Sequence, residues 1–215
     1  RMQPPPPDAS ARSRRRYAPR MAPQKRREQV IDAALSVIVQ HGSEGVSIEA
    51  IARMAGVTRP VIYDHFTNLG ELLRALIDRE EHYALAQLAE VVPDTLPEGD
   101  PVDVFTSAVR RFLDAVASRP DTWRIILLPP EGTPATVRHQ VDTNRAQLLE
   151  RLQEIVSWAV ERAKLPAELD IEICARAIRS LSEEAGRMVL TDLTRFSPER
   201  YESFVRSIMS LILNR

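Results

Sequence analysis

The stretch Val46–Phe66, VSIEAIARMAGVTRPVIYDHF, decides the fold. Ser47 is a helix-capping residue, and Glu49 stands in the first turn, where the helix dipole favours an anion. Ile48, Ile51 and Ala52 follow on one helical face, and Gly56 closes that short helix. Thr58 opens another short helix holding Val61, Ile62 and Tyr63. Because Pro60 disfavours α geometry at Arg59, its start is expected one residue later than Thr58 suggests. Two short helices meeting at Ala55–Gly56–Val57 form a helix-turn-helix.

In such a motif the second helix enters the DNA major groove and its N-terminal residues face base edges. Thr58, Arg59, Pro60 and Tyr63 occupy those positions, while Val61, Ile62 and Phe66 turn inward. Arg59 suits bidentate contact to guanine, worth roughly 1–3 kcal/mol of discrimination. Ser47, Tyr63 and His65 suit phosphate contacts, which fix register without reading sequence. The first amides of the helix after Ser47, at Ile48 and Glu49, also suit a phosphate.

Outward from this stretch every strong pattern is helical. Upstream, Val30, Ala33, Ala34, Val37, Ile38 and His41 share one face of a helix that starts near Gln24 and stops at Gly42. Downstream, Asn68 and Glu71 form a capping box for a helix through Leu72, Leu76, Ile77, Tyr83 and Leu88. Asp100–Pro101, Pro120, Thr133–Pro134, Pro166 and Ser197–Pro198 mark five further helix starts. Sustained period-2 alternation is missing, so the expected fold is all-α. Residues 1–23, with Pro4–Pro7 and Arg14–Arg16, read as a disordered basic and proline-rich arm. No apolar core follows its arginines, so it does not read as a secretory signal.

The 215 residues carry 29 basic and 30 acidic side chains, a net charge of −1 that superficially argues against nucleic acid. The distribution argues otherwise. Residues 1–79 hold thirteen basic against eight acidic groups, a balance of +5, which leaves −6 for 80–215. Such asymmetry fits a polyanion-facing module joined to an acidic one. No apolar run is long enough to span a membrane, and the single Cys174 fits a reducing, cytoplasmic setting.

Thr58-Arg59-Pro60-x-x-Tyr63-x-His65-Phe66, followed by Glu71-Leu72-Leu73, strongly resembles the N-terminal domain of the TetR/AcrR family of bacterial transcriptional regulators. The likeness covers Gln24 to Ala84; the remainder is similar only in helical layout and length. It implies a homodimer on a pseudo-palindromic double-stranded DNA operator, with 24–84 as the DNA-binding domain. It also implies that 85–215 binds a small-molecule effector and dimerises, the usual outcome being release of a repressor. One departure is Leu69, beside Gly70, where the family commonly has a phosphate-contacting lysine.

Given the resemblance, some large apolar residues are expected to line an effector cavity: Phe105, Val109, Phe112, Trp123, Ile126, Leu127 and Val141. Arg124, His139, Asn144 and Arg145 are candidate polar groups there. The last helix is apolar on two adjacent stripes, Tyr201, Phe204, Ile208 and Leu211 beside Val205, Met209 and Ile212. With Ala175, Ala185 and Gly186 before it, this suits a four-helix bundle shared by two subunits. An enzyme is not expected: His41, His65, His82 and His139 lack metal-binding spacing, the glycines form no nucleotide loop, and Glu183–Glu184 reads as a solvated face. No metal or cofactor is expected. The alternative reading is a helical adaptor that binds protein and not DNA.

Overall fold

Helix starts in this chain are set by short polar caps and first-turn prolines. The computed structural model describes residues 21–42, 45–92, 95–128, 135–166 and 168–213, and side chains outside 135–145 and 213. Among the described residues it is built of nine helices and no strand: α1 (Pro23–His41), α2 (Ile48–Ala55), α3 (Arg59–Tyr63), α4 (Leu69–Val91), α5 (Pro101–Ser118), α6 (Pro120–Leu127), α7 (Ala135–Arg162), α8 (Ile171–Thr191) and α9 (Pro198–Leu213). Most of the arm, at 1–20, and the Thr133–Pro134 start lie outside the described residues.

Local chemistry accounts for the first four helices. Ser47 Oγ accepts the Ala50 amide at 3.1 Å and caps α2, which ends on Gly56 in the left-handed region (φ 64°, ψ 33°). Asn68 Oδ1 accepts the Glu71 amide at 2.9 Å, while the Thr67 amide donates to Glu71 Oε2 at 2.7 Å. That second bond holds the Glu71 carboxyl below its ordinary range. The shifted start expected for α3 is not observed. Thr58 is extended (φ −90°, ψ 156°) and Arg59 is the first helical residue. Pro60 is tolerated in that turn because its missing N–H would have had no helical partner.

Val30, Ile31, Ala34 and Val37 of α1 pack with Ile51, Ile62, Phe66, Leu72 and Leu76 into one core. Full burial of each large aliphatic side chain contributes about 1.5–3 kcal/mol. Gln29 Nε2 donates to the Ala55 carbonyl at 2.8 Å, and the Arg27 guanidinium lies 4.8 Å above the Phe66 ring. These contacts fix α1 against the turn between α2 and α3.

A second core joins the end of α4 to α5, α6 and α8, through Ala84, Val91, Phe112, Leu113, Val116, Trp123, Leu127, Ala185 and Val189. The ring of Phe112 meets Trp123 edge-on at 5.2 Å. α8 begins at Ile171, capped by Asp170, whose Oδ1 accepts the Ile173 amide at 3.0 Å. This start is later than Pro166 alone suggests. Between the two cores Ile77 of α4 meets Ile125 of α6, with Leu35 and Ile38 of α1 against them.

The small residues of α8 serve the chain's own interior, a correction to their expected place in an intersubunit bundle. Ala175 is fully buried against Leu149 and Val156 of α7. A Cβ on Gly186 would stand 2.7 Å from Leu127 Cδ1 and 3.4 Å from Phe112 Cζ. α9 is held to α5 at its edges, by Arg110 to Glu199 (2.7 Å) and Glu202 (3.0 Å) and by Arg206 to Asp103 (2.7 Å). Its other side is left uncovered, with Phe204 60% and Leu211 70% exposed beside Ile173 (64%) and Leu181 (71%) of α8. No described helix is long and apolar enough to cross a membrane.

Candidate nucleic-acid interface and apolar cavity

α3 is five residues long and is held from one side only. Ile62 is buried, Val61 half-buried and Phe66 buried, so the core takes one face of the helix and its C-terminal turn. The opposite face carries Thr58, Arg59, Pro60 and Tyr63, all exposed. Thr58 makes no side-chain cap bond, so its hydroxyl is not committed to the helix. His65 is half-buried after the helix, its backbone amide bonded to the Ile62 carbonyl at 3.0 Å. Ser47 is half-buried at the N-terminus of α2 with its oxygen engaged as cap acceptor, which leaves its O–H as a donor.

Arg59 has two partners. Its Nη1 lies 2.7 Å from Glu49 Oε1 on α2, and the Tyr63 phenol one turn on is close enough to act on its guanidinium. The interaction with Tyr63 first, and the Glu49 charge second, raise the guanidinium pKa above its ordinary value. The three side chains bridge the two helices of the motif on its solvent face. Sequence reading placed Glu49 only as a dipole partner of α2. The contact to Arg59 depends on the angle between the helices, which no spacing rule supplies. Leu69 packs half-buried against the first core, so the position usual for a phosphate-binding lysine here fastens the start of α4.

A second feature lies 
between α4, α5, α6, α7 and α8: an apolar cavity of about 130 Å³. Val109 and Phe112 of α5 and Trp123, Ile126 and Leu127 of α6 line it, five of the residues expected there. Phe105 does not; it faces a neighbouring groove of about 230 Å³ bordered by α8 and α9. The two share Val109, Ile178 and Ser182 as lining, and Phe105 lies on the α9 side. The side chains of Val141, Asn144, Arg145 and His139 lie outside those described.

Arg124 is turned away from this role, donating to the Leu190 carbonyl at 3.2 Å. Among the described residues, the polar groups in the wall come from α8: Arg179, Ser182 and Glu183. Glu183 is therefore not the solvated residue that the Glu183–Glu184 pair suggested. Spacing i, i+3, i+4 put these three on one face, but which face meets the cavity follows from how α8 packs on α7 and α5.

α6 touches both regions. Trp123, Ile126 and Leu127 form cavity wall, while Ile125 and Thr122 point to the joint with α1 and α4. Thr122 Oγ1 donates to Glu80 Oε2 at 2.6 Å, and Glu80 is 1% exposed. Glu80 Oε1 accepts from Arg79, whose Nη1 reaches Asp32 (2.7 Å) and Glu28 (3.2 Å) of α1. A continuous polar chain thus runs from α6 through α4 to α1.

Comparison with known proteins agrees with this architecture. The family profile described as "Bacterial regulatory proteins, tetR family" matches residues 30–76. The chain is 30% identical over 162 residues to the probable HTH-type transcriptional regulator ArpR of Pseudomonas putida, covering 72% of this chain and 75% of that protein. Its fold is similar to a TetR-like transcriptional regulator from Rhodococcus sp. RHA1 (TM-score 0.70, 22% identity, 87% of this chain and 95% of that one). It is also similar to the transcriptional regulator FadR from Bacillus subtilis, solved in complex with stearoyl-CoA (TM-score 0.62, 17% identity, 86% and 97%). With an exposed recognition helix on a helix-turn-helix core and this degree of identity, the chain belongs to the tetR family of bacterial regulatory proteins, the HTH-type transcriptional regulators.

Proposed function

We propose that this protein is a homodimeric repressor that binds a pseudo-palindromic operator and is released from it by a small molecule. Residues 24–84 form the DNA-binding domain and 85–215 the effector-binding and dimerisation domain, with α4 running across the boundary. Arg59 reads a base edge with Thr58 and Pro60 beside it, and Ser47, Tyr63 and His65 contact phosphates. The observation that carries this reading is the exposed N-terminal face of α3 with Arg59 on it. The apolar cavity is the effector site, and the uncovered stripes of α8 and α9 are the face that a second copy covers.

Coupling follows from the double attachment of α6. A molecule entering between Trp123 and Leu127 displaces α6, and with it Ile125 and the Thr122–Glu80 bond. α4 and α1 then shift, and with them the separation of the two recognition helices. That separation must match one turn of DNA, ~34–36 Å, so a displacement of a few ångström is enough to weaken docking.

The test is a titration of upstream DNA by fluorescence anisotropy in ~50 mM salt, where phosphate contacts bind strongly. Wild-type protein should bind its operator well above random DNA. Arg59→Ala should weaken operator binding by roughly 10- to 100-fold, as expected for loss of one bidentate base contact. Its binding to random DNA should fall far less. Equal losses on both would remove the base-reading role of Arg59, and no affinity for any DNA would leave the adaptor reading.

A further inference from the structure

We propose that the effector is a neutral, ring-sized apolar molecule bearing one group that both accepts and donates a hydrogen bond, such as a phenolic hydroxyl or a carboxamide. The proposal rests on reading the cavity as the effector site. Among the described residues its walls are apolar except on α8, where Arg179 and Glu183 stand one helical turn apart with Ser182 between them. Arg179 Nε is buried and without a hydrogen-bond partner among the described residues, and it lies 3.9 Å from Glu183 Oε1. At that distance the two attract by charge but do not form a hydrogen bond. A buried donor left in this state costs free energy that a ligand acceptor would recover.

Charge balance sets the ligand's charge. Among the described residues Arg179 and Glu183 cancel, so a carboxylate entering beside Arg179 meets Glu183 at close range, and an ammonium beside Glu183 meets Arg179. Either ion also loses its hydration among Trp123, Phe112 and Leu127 without net compensation. A hydroxyl on a neutral molecule avoids both costs, accepting from the Arg179 guanidinium after a small turn of that side chain and donating to Glu183. Trp123 does not compete for it, since its Nε1 donates to Gln87 Oε1 at 3.0 Å. The volume of about 130 Å³ is close to that of an engineered apolar cavity, about 150 Å³, that takes up benzene. That volume accommodates one six-membered ring.

The test uses p-cresol, toluene and p-toluate at millimolar concentration, with binding to the full chain read by calorimetry and by tryptophan fluorescence. In the wild type p-cresol should bind at least tenfold more tightly than toluene, and p-toluate more weakly than either. Glu183→Gln leaves Arg179 uncompensated and should raise p-toluate affinity at least tenfold. Arg179→Met keeps the apolar stem and should close the gap between p-cresol and toluene. Equal binding of p-cresol and toluene by the wild type would overturn the proposal. So would tightest wild-type binding of p-toluate, an unchanged p-toluate affinity in Glu183→Gln, or no binding of any probe. Operator affinity is measured separately with each probe present. If the predicted ranking holds and operator affinity does not move, the ligand chemistry stands and the release mechanism falls.

Discussion

Arg59 lies at the surface between an acid and a phenol, and both partners must be exchanged when it turns to a base edge. In free protein the Glu49 carboxylate neutralises it, so the exposed face of α3 presents little net charge to passing phosphates. Non-specific DNA offers only phosphate in return for that pair, whereas a guanine offers two acceptors in the geometry of the guanidinium. Glu49→Gln should therefore raise affinity for random DNA several-fold and steepen its salt dependence by about one phosphate contact. Operator affinity should rise less, so the ratio between the two falls. Competition titrations at three salt concentrations measure both slopes. Arg59 was legible from the sequence because exposure at the start of a recognition helix is a local property. Glu49 as its partner was not, because the contact joins two helices across a turn.

At the scale of elements, the helix-turn-helix depends on Gly56 more than on any side chain. Its φ of 64° with ψ of 33° lets α2 end and the chain turn within two residues before Arg59. A β-branched residue there clashes with its own carbonyl, costing roughly 1–2 kcal/mol. Gly56→Val should lower the thermal midpoint by several degrees and cut DNA binding, with little change at the apolar cavity. Differential scanning calorimetry and p-cresol calorimetry check the two halves of that statement. The caps at Ser47, Asn68 and Asp100 could be read directly, since each places a short polar side chain two or three residues before the amide it bonds. Pairing of long helices could not. Ala175 and Gly186 looked like an intersubunit seam, but small residues permit close approach on any face, and the structure spends theirs on α7, α6 and α5.

For the whole molecule, the chain from α6 to α1 makes the two regions mechanically dependent. Thr122→Val removes a donor to the buried Glu80 carboxylate, a loss on the order of 1.5–3 kcal/mol for a bond to a charged group. Stability should fall accordingly. A bound effector should also move operator affinity less than in the wild type, while p-cresol affinity stays close to the wild-type value. Reporter induction against calorimetric affinity separates these effects. The uncovered face of α8 and α9 is the other property of the whole molecule. Replacing Leu181 and Phe204 together by lysine should yield a species of monomer mass in sedimentation, with operator binding reduced at least tenfold while helix content is kept.

The double role of α6 also bears on how a molecule of this kind can be converted into a sensor for a different compound. Val109 of α5 and Ile178 and Ser182 of α8 shape the cavity from walls away from the joint with α1. A library confined to them retunes what is detected and leaves the wiring intact. Thr122 and Ile125 set the gain, because they carry displacement onward without touching the compound. Input specificity can thus be varied on α5 and α8 while Thr122 and Ile125 of α6 hold the signal strength, and each can be selected for independently.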